Sequence, residues 1–97
     1  MGVNINAILW DVFGFESKKV WEANEKGIVE EFPVRFLIEK GRMNGLVFKE
    51  VEKSDDGLVY LYEFMDDREI NDIRVVEKNR KLMLEFEYEG KKFKFVE

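Results

Sequence analysis

From Ile73 to Val96 apolar and polar residues largely alternate, and the alternation is punctuated by Asn79-Arg80 and Glu89-Gly90. A period of two marks strands with one buried face. Asn and Gly accept the positive φ of a two-residue hairpin turn. If both dipeptides are such turns, the registers follow. Glu87 faces Lys92, Phe86 faces Phe93, Glu85 faces Lys94 and Leu84 faces Phe95. Across the earlier turn, Val75 faces Leu84, Arg74 faces Glu85 and Ile73 faces Phe86. The two registers agree: Ile73, Val75, Leu84, Phe86, Phe93 and Phe95 share one face, and Arg74, Glu85 and Lys94 form a charged row on the other. A slip of one residue would bury that row, so the pairing is strongly specified.

Upstream, strands are expected at about 32–39, 46–53 and 58–65. Asn44-Gly45 is a hairpin turn, and Asp55-Asp56-Gly57 fits a three-residue loop with Gly57 left-handed. That loop sets Phe48 opposite Phe64, Lys49 opposite Glu63 and Val51 opposite Leu61. The stretch 58–65 is apolar on both sides, which predicts a strand covered on both faces. Asp66 to Asp72 is a longer polar connection.

Residues 1–31 read as helical. Ile5, Ile8, Leu9, Val12 and Phe13 form one helical stripe, with Asn4 as N-cap and Gly14 as terminator. The opening alternation Val3 to Ala7 also permits a short strand. A second helix is expected from about Lys18 to Lys26, between Ser17 and Gly27. The fold class is therefore α+β: a single domain, 1–97, with a helical segment at 1–31 packed on a five- or six-stranded antiparallel meander at 32–97, either a bent sheet or a small barrel.

Composition narrows the chemistry. The chain of 97 residues has no His and no Cys, and its net charge is -5. It also contains no Thr and no Gln. Disulfides, Cys or His metal sites and His-activated nucleophiles are excluded. Charged residues make up 38% of the chain, a Glu- and Lys-rich balance resembling that of heat-adapted proteins. The acid excess argues against direct nucleic-acid binding. No apolar run approaches a membrane span and no secretory leader is evident, so a soluble cytoplasmic protein is expected.

The remaining candidates for chemistry are weak. Asp66 to Asp72 is rich in oxygen ligands but lacks the calcium-loop pattern, so no metal is expected there. Glu85, Glu87 and Glu89 lie on an outward ladder beside lysines, where nothing would raise a carboxyl pKa. Ser17 and Ser54 adjoin a cap and a turn and lack a base. Tyr60, Tyr62, Phe48 and Phe64 would need a basic groove to stack nucleic-acid bases, whereas Glu50, Glu52 and Glu63 lie nearby.

These readings point away from an enzyme and imply no cofactor. The expectation is a small acidic protein-interaction module that binds another protein or itself, as a homodimer. Its acidic charge fits a basic partner surface. The expected interface is Leu37, Val59, Leu61 and Met65, with Val76, Met83 and Val96 adding apolar surface beyond what two short helices cover. The alternative is a small intracellular carrier holding an apolar ligand inside a β-barrel, closed at one end by helix 5–13.

Overall fold

In a computed structural model, which describes residues 3–55 and 57–97, hairpin chemistry builds most of the molecule. Asn79 and Arg80 have φ of 53° and 64°, and Glu89 and Gly90 have φ of 50° and 78°. Both dipeptides therefore close tight turns of the expected kind. A two-residue strand, β1 (Val3–Asn4), is followed by one turn of helix, α1 (Asn6–Ile8), which runs on as a π-helical turn at Leu9–Phe13. Short strands β2 (Glu22–Ala23) and β3 (Ile28–Val29) precede helix α2 (Val34–Met43). The meander follows as β4 (Leu46–Ser54), β5 (Gly57–Phe64), β6 (Ile70–Lys78), β7 (Lys81–Tyr88) and β8 (Lys91–Val96).

The six-stranded sheet has the order β3-β8-β7-β6-β5-β4, and β1 pairs with β2 in a separate ribbon. All neighbours in the large sheet are antiparallel except β3 and β8. The sheet is open, ending at β3 and β4, and does not close into a barrel. Of the two expected forms, an open sheet is the one observed and the small barrel is not.

The deduced registers hold. Leu84 pairs with Phe95, Glu85 with Lys94, Phe86 with Phe93 and Glu87 with Lys92. Val75 pairs with Leu84 and Arg74 with Glu85. The third expected pair, Ile73 with Phe86, is displaced by a bulge between Asn71 and Arg74, where Asp72 adopts φ 53°. The bulge keeps Ile73 on the core face opposite Tyr62. All six apolar residues assigned to that face are buried.

The helical stripe also holds: Ile5, Ile8, Leu9, Val12 and Phe13 are all buried. Gly14 terminates the segment with φ 66°. Asn4 accepts a hydrogen bond from the amide of Asn6, at 2.9 Å. The Phe13 ring meets Phe64 and Phe86 edge-on, with centroids 5.8 and 5.7 Å away. This helical segment therefore plugs the core face of β5 and β7.

Three expectations need correction. Residues 32–39 form no strand: Val34–Met43 is a helix. The apolar set fits both periods, but Val34, Leu37 and Gly41 are the residues buried, and that is helical spacing. Pro33 enters with φ -75°, preset for a helix start, while Lys40 and Arg42 complement the C-terminal carbonyls. Gly41 lets α2 approach closely, since a Cβ there would fall 2.9 Å from Leu46 and 3.1 Å from Phe13.

Residues 18–26 are not a helix either. Asn24 Oδ1 accepts from the amides of Lys26 and Ile28, at 2.9 and 3.2 Å. This local turn competes with helix formation. It directs the chain into β3, which lies along β8 with Val29 opposite Phe95. Gly27 has φ 78°, and the carbonyl of Lys92 occupies the space a Cβ would need.

The hairpin joining β4 and β5 is one residue tighter than expected. Ser54 pairs with Gly57, and Phe48, Glu50 and Val51 pair with Tyr62, Leu61 and Tyr60 across a bulge at Lys49. The expected partners of Phe48 and Val51 are thereby displaced. Asp56 lies outside the described residues. The Lys49–Glu63 attraction survives diagonally, at 3.6 Å.

Candidate interaction surface

Strand alternation gives the large sheet two unlike faces. One, carrying Val75, Leu84 and Phe95, packs against the helical segment and α2. The opposite, outer face carries two cross-strand rows. The first runs Glu50, Leu61, Arg74, Glu85, Lys94 and Ile28 from β4 to β3. The second runs Glu52, Val59, Val76, Met83 and Val96. Val59, Leu61, Val76, Met83 and Val96 are each half-buried, shielded chiefly by their neighbours in the sheet. Among the described residues, no helix packs on this face.

Charge on the outer face is locally balanced. Lys94 Nζ lies 3.4 Å from Glu85 Oε1. Arg74 sits across β6–β7 from the same glutamate. An open groove of about 460 Å³ runs over Asp72, Arg74, Glu85, Glu87, Lys92 and Lys94. Its acids lie beside bases on adjoining strands, Glu85 opposite Arg74 and Lys94 and Glu87 opposite Lys92.

Of the four residues expected at an interface, the structure brings Val59 and Leu61 together on the outer face. Met65 follows β5 and is 78% exposed, with its amide bonded to the carbonyl of Gly45 at 2.9 Å. Leu37 does not belong with them. It lies on α2 with 0% exposure, inside the core on the other side of the sheet. Its misplacement follows from reading a helix as a strand. Val76, Met83 and Val96 complete the apolar row instead.

The polar loop before β6 is built around Arg68, whose part was not legible in sequence. Its guanidinium donates to Asp66 Oδ1 at 2.7 Å, to the carbonyl of Asn44 at 2.7 Å and to the carbonyl of Val12. It also lies over the Phe64 ring, 4.4 Å from the centroid. Arg68 thus satisfies carbonyls at the C-terminal ends of both helical segments. The hydrogen bond to Arg68 holds the Asp66 carboxyl below its ordinary range. A long-range contact of this type leaves no periodic signature.

Elsewhere, Tyr60 and Tyr62 pack partly into the core, and Phe48 meets both rings at 6.3 and 5.9 Å. Tyr60 Oη donates to Glu77 at 3.3 Å. Burial, followed by the charge of Glu77, raises its phenol pKa. Ser54 Oγ donates to the carbonyl of Gly57, and Ser17 Oγ accepts from the amide of Lys19. Both hydroxyls thus serve turns. Among the described residues no helix is long and apolar enough to cross a membrane. Comparison with protein-family models, curated proteins and solved structures finds no match.

Proposed function

We propose that this protein is a non-catalytic interaction module that works through the outer face of its sheet. The observation supporting this reading is the apolar row Val59–Val76–Met83–Val96, continued by Leu61, on a face with no helix packed over it. Contiguous apolar surface rimmed by charge is characteristic of protein-binding sites. Its residues stand on a rigid antiparallel sheet, so little ordering is required on binding. The balanced charges beside the row would orient a partner, and the net charge of -5 would favour approach by a basic one.

The test is affinity capture from the source cells with three forms of the chain: wild type, Met83→Glu and Met43→Glu. Met43 is 78% exposed at the end of α2, away from the proposed surface. The expected result is a protein, the chain itself included, that is retained by wild type and Met43→Glu but released by Met83→Glu. Retention indifferent to Met83→Glu would overturn the reading.

A further inference from the structure

The outer face is nearly symmetric about a line drawn along the strands between β6 and β7. In the charged row, Arg74 and Glu85 flank that line, with Leu61 and Lys94 one strand further out. In the apolar row, Val76 and Met83 flank it, with Val59 and Val96 outside them. We infer that the occupant of this face is a second copy of the chain, docked face to face about a two-fold axis along that line. The inference rests on the reading of this face as a docking surface.

Half a turn about that axis exchanges β6 with β7 and β5 with β8, and leaves each row in place. Arg74 of each copy then meets Glu85 of the other. Val76 meets Met83, and Val59 meets Val96. The aliphatic stem of Lys94 covers Leu61. Such a contact is isologous and closed, and forms no fibre. Other axes fit less well. One perpendicular to the strands along the charged row would set Arg74 on Arg74. One between β7 and β8 would leave Val59 and Val76 without apolar partners.

The area is adequate. The five long strands, about 4.8 Å apart with six to nine residues rising about 3.3 Å each, give a face of about 630 Å². Two such faces exceed the roughly 1,000 Å² in total that a specific interface needs. The discord lies at the rim, where Lys78 of one copy meets Lys81 of the other and Glu50 of one meets Ile28 of the other.

The test is sedimentation of R74E, E85R and an equimolar mixture of the two. Alone, each variant sets like charges together twice across the axis, and should weaken self-association at least about tenfold relative to wild type. In the mixture, this axis sets the new acid of one chain against the new base of the other, and Glu85 of the first against Arg74 of the second. A 1:1 dimer within about threefold of wild-type affinity is expected. Mixing restores no cross-strand pair within either chain, so recovery reports contact between copies.

Wild type that remains monomeric at about 1 mM overturns the dimer; a partner released by Met83→Glu would still uphold the docking reading. Single variants that dimerise as well as wild type, or a mixture that does not recover, overturn this axis. If either variant fails to fold by circular dichroism, K81E decides instead. It should tighten association about three- to tenfold by turning the rim repulsion into attraction, and unchanged or weaker association overturns the proposal.

Discussion

Phe13 meets Phe86 edge-on with ring centroids 5.7 Å apart, which ties the N-terminal helical segment to the centre of β7. Phe86 also contacts Phe93 and Phe95. Phe86→Ala should therefore cost about 3–5 kcal/mol, because the neighbouring rings cannot collapse into the space. Glu85→Ala, one residue away on the outer face, should cost about 0–1 kcal/mol. Urea denaturation of both variants checks the contrast. Similar losses would mean that the two faces have been assigned wrongly.

Leu37 and Leu61 provide a second contrast. Leu37→Glu places a charge in a fully buried position and should abolish cooperative folding. Leu61→Glu charges the open face and should keep the fold, with native-like circular dichroism and a lower apparent mass if the wild type self-associates. Unfolding of Leu61→Glu would place that side chain in the core.

Arg68 joins three elements through one guanidinium. Arg68→Ala leaves the carbonyls of Val12 and Asn44 without this donor and should destabilise by about 1–3 kcal/mol. Arg68→Lys should recover only part of the loss, because an ammonium lacks the planar fork that reaches these acceptors together. Full recovery in thermal melts would show that charge alone suffices.

Acid should expose the Asp66–Arg68 pair. A carboxyl whose folded pKa lies below its unfolded value stabilises above the unfolded value, about 3.9 for Asp. That contribution disappears as pH falls through the folded pKa. Asp66→Asn should therefore narrow the stability gap between pH 7 and pH 3 relative to wild type, as read from urea midpoints. Tyr60 works in the opposite direction. Its raised pKa stabilises below its ordinary value of about 10 and is lost as pH rises through the folded value. Absorbance titration of wild type against Tyr60→Phe should reveal a late-titrating phenol.

Arg80 sits in the left-handed region at φ 64°. Its carbonyl accepts from Arg35 at 3.3 Å, an interaction that a substitution at the side chain leaves in place. Arg80→Gly should raise stability by about 0.5–1 kcal/mol by relieving the Cβ cost of that conformation. A drop in melting temperature would show that the arginine side chain contributes more than its backbone strain costs.

The strands from β6 to β8 were legible because two independent signals coincide there: period-two alternation and turn residues suited to positive φ. The buried stripe from Ile5 to Phe13 was legible for the same kind of reason. Residues 32–38 were misread because Phe32, Val34, Phe36 and Ile38 satisfy a period of two. The competing helical stripe includes Gly41, which a hydrophobicity count overlooks. Lys18 to Lys26 was misread because capping residues also make local turns, as Asn24 does here. The β4–β5 register moved with a bulge at Lys49, which no charge pattern announces. Val59 and Leu61 were placed on a common surface by strand alternation, whereas Leu37 was lost with its element.

The pairing of β3 with β8 has a consequence for folding order. The hairpins β4–β5, β6–β7 and β7–β8 join neighbours in sequence and close short loops. The β3–β8 contact joins residues near 28 to residues near 95, and Phe32 seals it by stacking on Phe95 at 4.7 Å. Bringing such distant segments together carries the larger loop-closure entropy. During synthesis the hairpins through β7 can form while the chain is still emerging, but the β8 edge cannot be covered until β8 itself has left the ribosome. Until then the segment around Phe32 lacks the strand it rests on, because its ring stacks on Phe95 and its amide donates to the carbonyl of Val96.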